Sequence, residues 1–159
     1  MKKRPEPSQT TKWQSIKLSV LTLKNRLKRA SAVETAAVTR PAKSAEPLMD
    51  ENVIKLSFGN NQNLLKKSMD IYLRDAPNLL ASLMAAIEAD DFNDVSTQAH
   101  ALKGISSYYT RGGPFELARL LDLAAQKDPG PEMRMEIRKL GAALSQAVAD
   151  LAAVMRERL

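Results

Sequence analysis

The chain has 159 residues, a formal net charge of +6, 44% hydrophobic content and no cysteine. That length suits one domain with a core of its own plus a tail, and is short for two domains. The missing cysteines exclude disulfides, thiolate metal sites and thiol nucleophiles, and fit a reducing, cytoplasmic compartment. With aromatic residues at only 4%, the core must come from Leu, Ala, Met, Ile and Val, which favours helices.

The first residues, MKKRP, are followed by an apolar stretch that Lys17, Lys24 and Arg26 interrupt. It reads neither as a secretion signal nor as the roughly 18 to 20 apolar residues that cross a bilayer. Charge is uneven along the chain. Residues 1–49 hold 11 Lys and Arg against 3 Glu, a net +8, whereas residues 50–159 hold 13 against 15 Asp and Glu, a net −2. Trp13, Ile16, Val20, Leu23 and Leu27 recur at spacings of three and four, which predicts a basic amphipathic helix within residues 12–29. Such a segment suits an anionic membrane surface, and so a peripheral place at the inner membrane, or an acidic protein. It is equally read as a marginal helix that packs on its own domain or on a second copy. Nucleic acid is the weaker option, since basic charge arrives without a recognised binding module. From Ser31 to Pro47 the composition turns to Ala, Thr, Ser and Pro and reads as a linker. The expected organisation is therefore a basic tail over 1–47 and a folded domain over 48–159.

In that domain, helix-length segments are separated by Pro and Gly. Asp50 to Leu56 reads as a short helix before the turn FGNN. A longer one starts at Asn61 with Leu65, Met69 and Tyr72 on one face, and its pattern resumes beyond Pro77 as far as Asp90-Asp91. A kinked single helix is preferred there over two separate ones. Asp91 or Asn93 can cap the next helix, expected to reach Tyr109. Arg111-Gly-Gly-Pro114 then opens another over 115–127, along Leu117, Leu120, Leu121 and Ala124. After the turn Asp128-Pro-Gly-Pro131, residues 132–158 place Ile137, Leu140, Leu144, Val148, Leu151 and Met155 on one stripe. The fold class that follows is all-α: an antiparallel four-helix bundle with a short extra N-terminal helix, preceded by the basic tail.

The segment HALKGISSYY, residues 100–109, holds the only histidine. At about 100° per residue, Val95, Leu102 and Tyr109 fall far from His100 around the helix, whereas Thr97, Lys103, Gly104 and Ser107 fall within about 60° of it. Ser106 belongs with the core. A structural histidine normally sits on or beside the apolar stripe, and this one does not. Gly104 costs on the order of 1 kcal/mol relative to alanine in a helix interior. One turn beyond His100, the absent side chain lowers the surface so that a large partner can approach, while Lys103 supplies a positive charge near the ring. A neutral imidazole is a nucleophile near neutral pH. Phosphoryl transfer asks mainly for positioning and charge neutralisation, so cation and clearance together suggest a phosphoryl group delivered by a protein. No phosphate-cradling glycine loop or kinase signature accompanies it.

His100-Ala-Leu-Lys-Gly-Ile-Ser106 resembles the H-x-L-K-G-x-S motif of the histidine phosphotransfer (HPt) domains of two-component phosphorelays. The resemblance extends upstream through FGNNQNLLKKSMDIYLRDAPNLLASLMAAIEADD and downstream through GGPFELARLLDLAA, covering about residues 50 to 127. It implies that His100 is the phosphoacceptor, that Lys103 steadies phosphoryl oxygens and that Gly104 admits an aspartate-bearing receiver domain. Thr97 and Ser107 then join the phosphoryl- and receiver-binding face. The implied partners are response-regulator receivers, including those of hybrid histidine kinases. No cofactor is expected on this chain, and Mg2+ is expected on the partner receiver. The sequence departs from the family where a glycine commonly stands ten residues after the histidine: Thr110 occupies that position and Gly112-Gly113 follow. This predicts a longer helix end or a wider loop. It also leaves open which residue of the following helix reaches the imidazole, with Gln126 a candidate to which no role is assigned.

The functional expectation is a phosphocarrier without autonomous kinase activity, taking a phosphoryl group from one receiver aspartate and passing it to another receiver. The alternatives are a receiver-docking scaffold or phosphate sink, and a non-catalytic helical adaptor located by its tail. Met133 and Met135 read as ordinary surface or edge packing, the acids Glu88, Asp90 and Asp91 as a helix end and a cap, and Tyr108 and Tyr109 as either docking-surface or core-capping residues.

Overall fold

The computed structural model describes residues 48–126 and 128–159. The expected helix within 12–29 and the linker up to Pro47 lie outside the described residues. Five helices follow: α1 (Glu51–Phe58), α2 (Gln62–Glu88), α3 (Phe92–Ser106), α4 (Gly113–Ala125) and α5 (Pro131–Arg158).

Local chemistry sets each boundary. Asp50 caps α1 by accepting from the backbone N–H groups of Asn52 and Val53 at 2.9 and 3.3 Å. Gly59 ends it at φ +58°, a left-handed conformation that glycine adopts without a Cβ clash. Asn61 caps α2 through the Leu64 N–H, and Asp91 caps α3 through the Asp94 N–H, at 3.0 and 3.1 Å. Pro77 lacks the N–H that an interior helix position would use, yet α2 runs through it as one element of 27 residues. α4 and α5 start with Pro114 and Pro131 in their first turns, behind the glycine caps Gly112 and Gly130.

The four long helices close a ring, with α2 and α4 each packing against both α3 and α5, and α1 lying on α2. The connections of three to six residues reverse the chain each time, the up-and-down arrangement expected of short loops. The apolar stripes meet in a core in which Leu83, Val95, Leu102, Leu121, Leu144 and Leu151 are fully buried. Gly141 on α5 lets Ile87 of α2 come close, since a Cβ there would stand 2.6 Å from the Ile87 Cδ1.

Two features seal the ends. At one end Tyr109 is buried, stacks on Phe58 at 5.8 Å, meets Tyr72 edge-on at 5.5 Å and shares a 2.6 Å hydroxyl hydrogen bond with Ser68. Its carbonyl accepts from the Asp50 N–H at 2.8 Å. At the other end Asp90, in a left-handed turn at φ +54°, accepts from Arg134 and Arg138 at 3.2 and 3.0 Å, joining the α2–α3 turn to α5.

Two helix boundaries differ from expectation, the wider of the two expected loop forms is the one present, and two residue pairs divide between core and surface. α3 stops at Ser106 instead of Tyr109, because Tyr109 reaches the core from a turn, and the loop Ser107–Gly112 is wide. In that loop Thr110 is buried, and its hydroxyl accepts from the Gly112 N–H at 3.1 Å. α4 begins at Gly113 and ends at Ala125, ahead of the expected 115–127. Of the paired residues, Tyr109 and Met133 are buried while Tyr108 and Met135 are exposed.

Truncating a fully buried stripe residue leaves a cavity, so Leu144→Ala lowers the unfolding free energy by about 2 to 5 kcal/mol in urea denaturation. Met135→Ala, at an exposed site, changes it by about 0.5 kcal/mol or less. Equal effects of the two substitutions contradict this core assignment.

Candidate functional site

The residues singled out by the sequence come from one stretch of α3 and its C-terminal turn. Because the buried face of α3 carries Val95, Ala99, Leu102 and Ser106, residues on the opposite arc are left outside. The His100 side chain is 71% exposed. Gly104, one turn later, is exposed, and a Cβ built on it meets nothing within 4 Å. Nothing inside the fold therefore requires a glycine at this position. Lys103 is half-buried on the flank facing α4.

What holds this face together is a residue that the sequence did not single out. Asp122 of α4 has a side chain only 10% exposed, and three α3 side chains converge on it. His100 Nδ1 lies 3.1 Å from Oδ2, Lys103 Nζ donates to the same oxygen at 2.8 Å, and the Ser96 hydroxyl donates to Oδ1 at 2.8 Å. Burial pushes the Asp122 carboxyl up, but the hydrogen bonds from Lys103, Ser96 and His100 outweigh it and hold the carboxyl below its usual range. Asp122 is thus an anion at neutral pH and can only accept hydrogen bonds.

That polarity decides the imidazole tautomer. Lys103 Nζ also lies 3.3 Å from His100 Nδ1, but its shorter contact is to the carboxylate. Nδ1 facing an obligate acceptor at 3.1 Å carries the proton. Nε2 then keeps the lone pair on an exposed ring.

The other two expected residues turn their hydroxyls inward to the backbone. Thr97 donates to the Asn93 carbonyl at 2.9 Å and Ser107 to the Gly104 carbonyl at 2.6 Å. Both flank the imidazole without touching it. Ser106 is fully buried, 3.5 Å from the Tyr72 hydroxyl, whose pKa burial pushes up to about 12. Gln126 is exposed at the end of α4, and the contact to the imidazole comes from Asp122, one turn earlier. A signal for Asp122 exists in the sequence: it is the one acid in LARLLDLAA, with Ala118 and Ala125 one turn to either side on the buried arc. Ser96 lies one turn before His100 on the same face and was missed with it.

Among the described residues there is no group of three or more metal-ligating side chains and no helix long and apolar enough to cross a membrane. Comparisons with curated proteins and with solved structures found no match. The sequence model of the Hpt domain matches residues 67–153, more than half of the chain, from the first turns of α2 to the last turns of α5. A bundle with one exposed, oriented histidine on its third helix agrees with that match, and the chain belongs to the Hpt domain family, whose members transfer phosphoryl groups in two-component phosphorelays and dock receiver domains.

Proposed function

We propose that His100 is the phosphoacceptor of this Hpt domain, taking a phosphoryl group on Nε2 from the phosphoaspartate of one receiver and passing it to the aspartate of another. The observation that carries this reading is the oriented imidazole: exposed at 71%, with Nδ1 against the buried Asp122 carboxylate. In this reading the Nε2 lone pair attacks phosphorus as the acyl phosphate P–O bond breaks, and the bonding pair leaves with the receiver carboxylate. No proton has to move, because Nδ1 already carries it. Lys103 neutralises phosphoryl oxygens by swinging its ammonium from Asp122 toward the group on the ring. Thr97 and Ser107 border the contact with the receiver, and any metal the chemistry needs is held by that receiver.

Gly104 keeps the surface low so that the receiver aspartate reaches the ring. Its role separates from stability because a Cβ at this position enters open space. Gly104→Ala is expected to stabilise the fold by about 1 kcal/mol through helix propensity. Gly104→Gln, equally well folded, should accept phosphate from a receiver at least tenfold more slowly while reacting normally with the small donor phosphoramidate. Equal losses with both donors contradict the clearance role.

The primary test mixes the full chain with phosphorylated receiver domains, including those of hybrid kinases, and follows intact mass. The expected result is an acid-labile adduct of one phosphoryl group that His100→Gln abolishes. An adduct that persists in His100→Gln overturns the assignment.

The basic segment supports a separate proposal about location, an anionic membrane surface met by residues 12–29, resting on the net +8 of residues 1–49 and the Trp13 to Leu27 stripe. The full chain is expected to co-sediment with vesicles containing phosphatidylserine and to lose that binding when Lys24, Arg26, Lys28 and Arg29 become Glu. Binding to neutral vesicles alone, or none, removes it and favours an acidic protein as the segment's partner.

A further inference from the structure

Asp122 does more than orient a ring, because the species on its two sides differ in charge. An imidazole that attacks through a Nε2 lone pair, with its proton on Nδ1, carries no net charge before transfer. After Nε2 forms its bond to phosphorus with Nδ1 still protonated, the ring carries a positive charge beside the dianionic phosphoryl oxygens. The group closest to that new cation is the Asp122 carboxylate, 3.1 Å from Nδ1 and anchored on its other oxygen by Ser96 at 2.8 Å. Its present counter-ion is Lys103, at 2.8 Å on the shared Oδ2. Once Lys103 turns to the phosphoryl oxygens, Oδ2 is left to the phosphorylated ring while Ser96 still holds Oδ1. The carboxylate already makes a charge-assisted hydrogen bond to the neutral ring; a positive charge on the ring adds direct Coulomb attraction, and the 10% exposure of the Asp122 side chain limits its screening although the ring itself is exposed.

We propose that the Asp122 carboxylate sets the position of the phosphoryl equilibrium, biasing it toward phosphohistidine on this bundle and away from the receiver aspartate. Asp122 is in this sense a positioning residue acting through His100, and the domain holds phosphate as a reservoir instead of only passing it along. The step is balanced: the receiver acyl phosphate loses its P–O bond, Nε2 gains a P–N bond, the pair from the broken bond stays on the receiver carboxylate, and the Nδ1 proton stays in place. The return step runs the same bonds in reverse. An electron-rich acceptor on Nδ1–H makes Nε2 a stronger nucleophile and a poorer leaving group, so the forward step is favoured and the return step disfavoured, and both changes move the equilibrium toward phosphohistidine. A neutral amide at position 122 keeps an acceptor oxygen for Nδ1–H but not the negative charge.

This inference rests on His100 being the phosphoacceptor, and its test keeps the two apart. The full chain and one receiver that phosphorylates it are brought to equilibrium from both sides, starting from phosphoreceiver and from phosphorylated bundle, and the ratio of phosphohistidine to phosphoaspartate is read by mass spectrometry. Asp122→Asn is expected to lower that ratio about tenfold, the difference between an ionic and a neutral hydrogen bond, with the same value reached from both starting points. Asp122→Ala, which places a helix-favouring residue at the site, carries the same test should the asparagine variant fold poorly. A ratio within twofold of wild type, with forward and reverse rates slowed together, overturns the proposal and leaves Asp122 an orienting role alone. If the wild-type chain takes no phosphate from any receiver, the phosphoacceptor assignment itself falls.

Discussion

The site depends on one buried carboxylate shared between two helices. Asp122 takes a hydroxyl, an ammonium and an imidazole N–H from successive turns of α3, so the same contact that joins α3 to α4 also fixes the ring. α3 and α4 pack directly against each other, and small residues are buried on both. Ala118 and Ala125 lie one turn before and after Asp122 and are buried with it, as is Ala99 of α3. Breaking such a cluster by removing one partner leaves the others unpaired in a partly desolvated place, which is costly.

Much of this was legible from the sequence, and what was not has physical reasons. Helix existence, order and buried faces followed from apolar periodicity, and of Asp91 and Asn93 it is Asp91 that caps α3, while Asp50 and Asn61, expected as first helical residues, cap α1 and α2. The outward placement of His100 and its small, polar neighbours followed from the same arithmetic. The end of α3 was overrun because Tyr109 continues the apolar period of Leu102, yet buries itself from a turn beyond the last helical residue. Asp122 was overlooked because an acid in a helix is first assigned to a solvated face, and its partners Ser96, His100 and Lys103 stand 19 to 26 positions away. No local period registers a pairing of that kind. Only the interruption of an alanine and leucine stripe by a single charge announced it.

The arrangement suits a protein whose chemistry is completed by another. His100 stands on an exposed helix face, Gly104 one turn on carries no side chain, and the polar groups behind the ring are a lysine, a serine and a carboxylate. The bundle is closed at both ends: Tyr109 pins α1, α2 and the end of α3 together, and Asp90 binds the opposite turn to α5. In the proposed function a receiver would meet a preformed surface, with little ordering to accompany docking.

The most direct test of the account is 15N and 31P NMR on the phosphorylated chain labelled at histidine, since His100 is the only histidine and its two nitrogens need no further assignment. The account predicts phosphorus coupling to Nε2, with Nδ1 protonated in both the free and the phosphorylated protein. Coupling to Nδ1, or a free ring whose proton resides on Nε2, would contradict the role given to Asp122 and the orientation on which the proposed transfer rests.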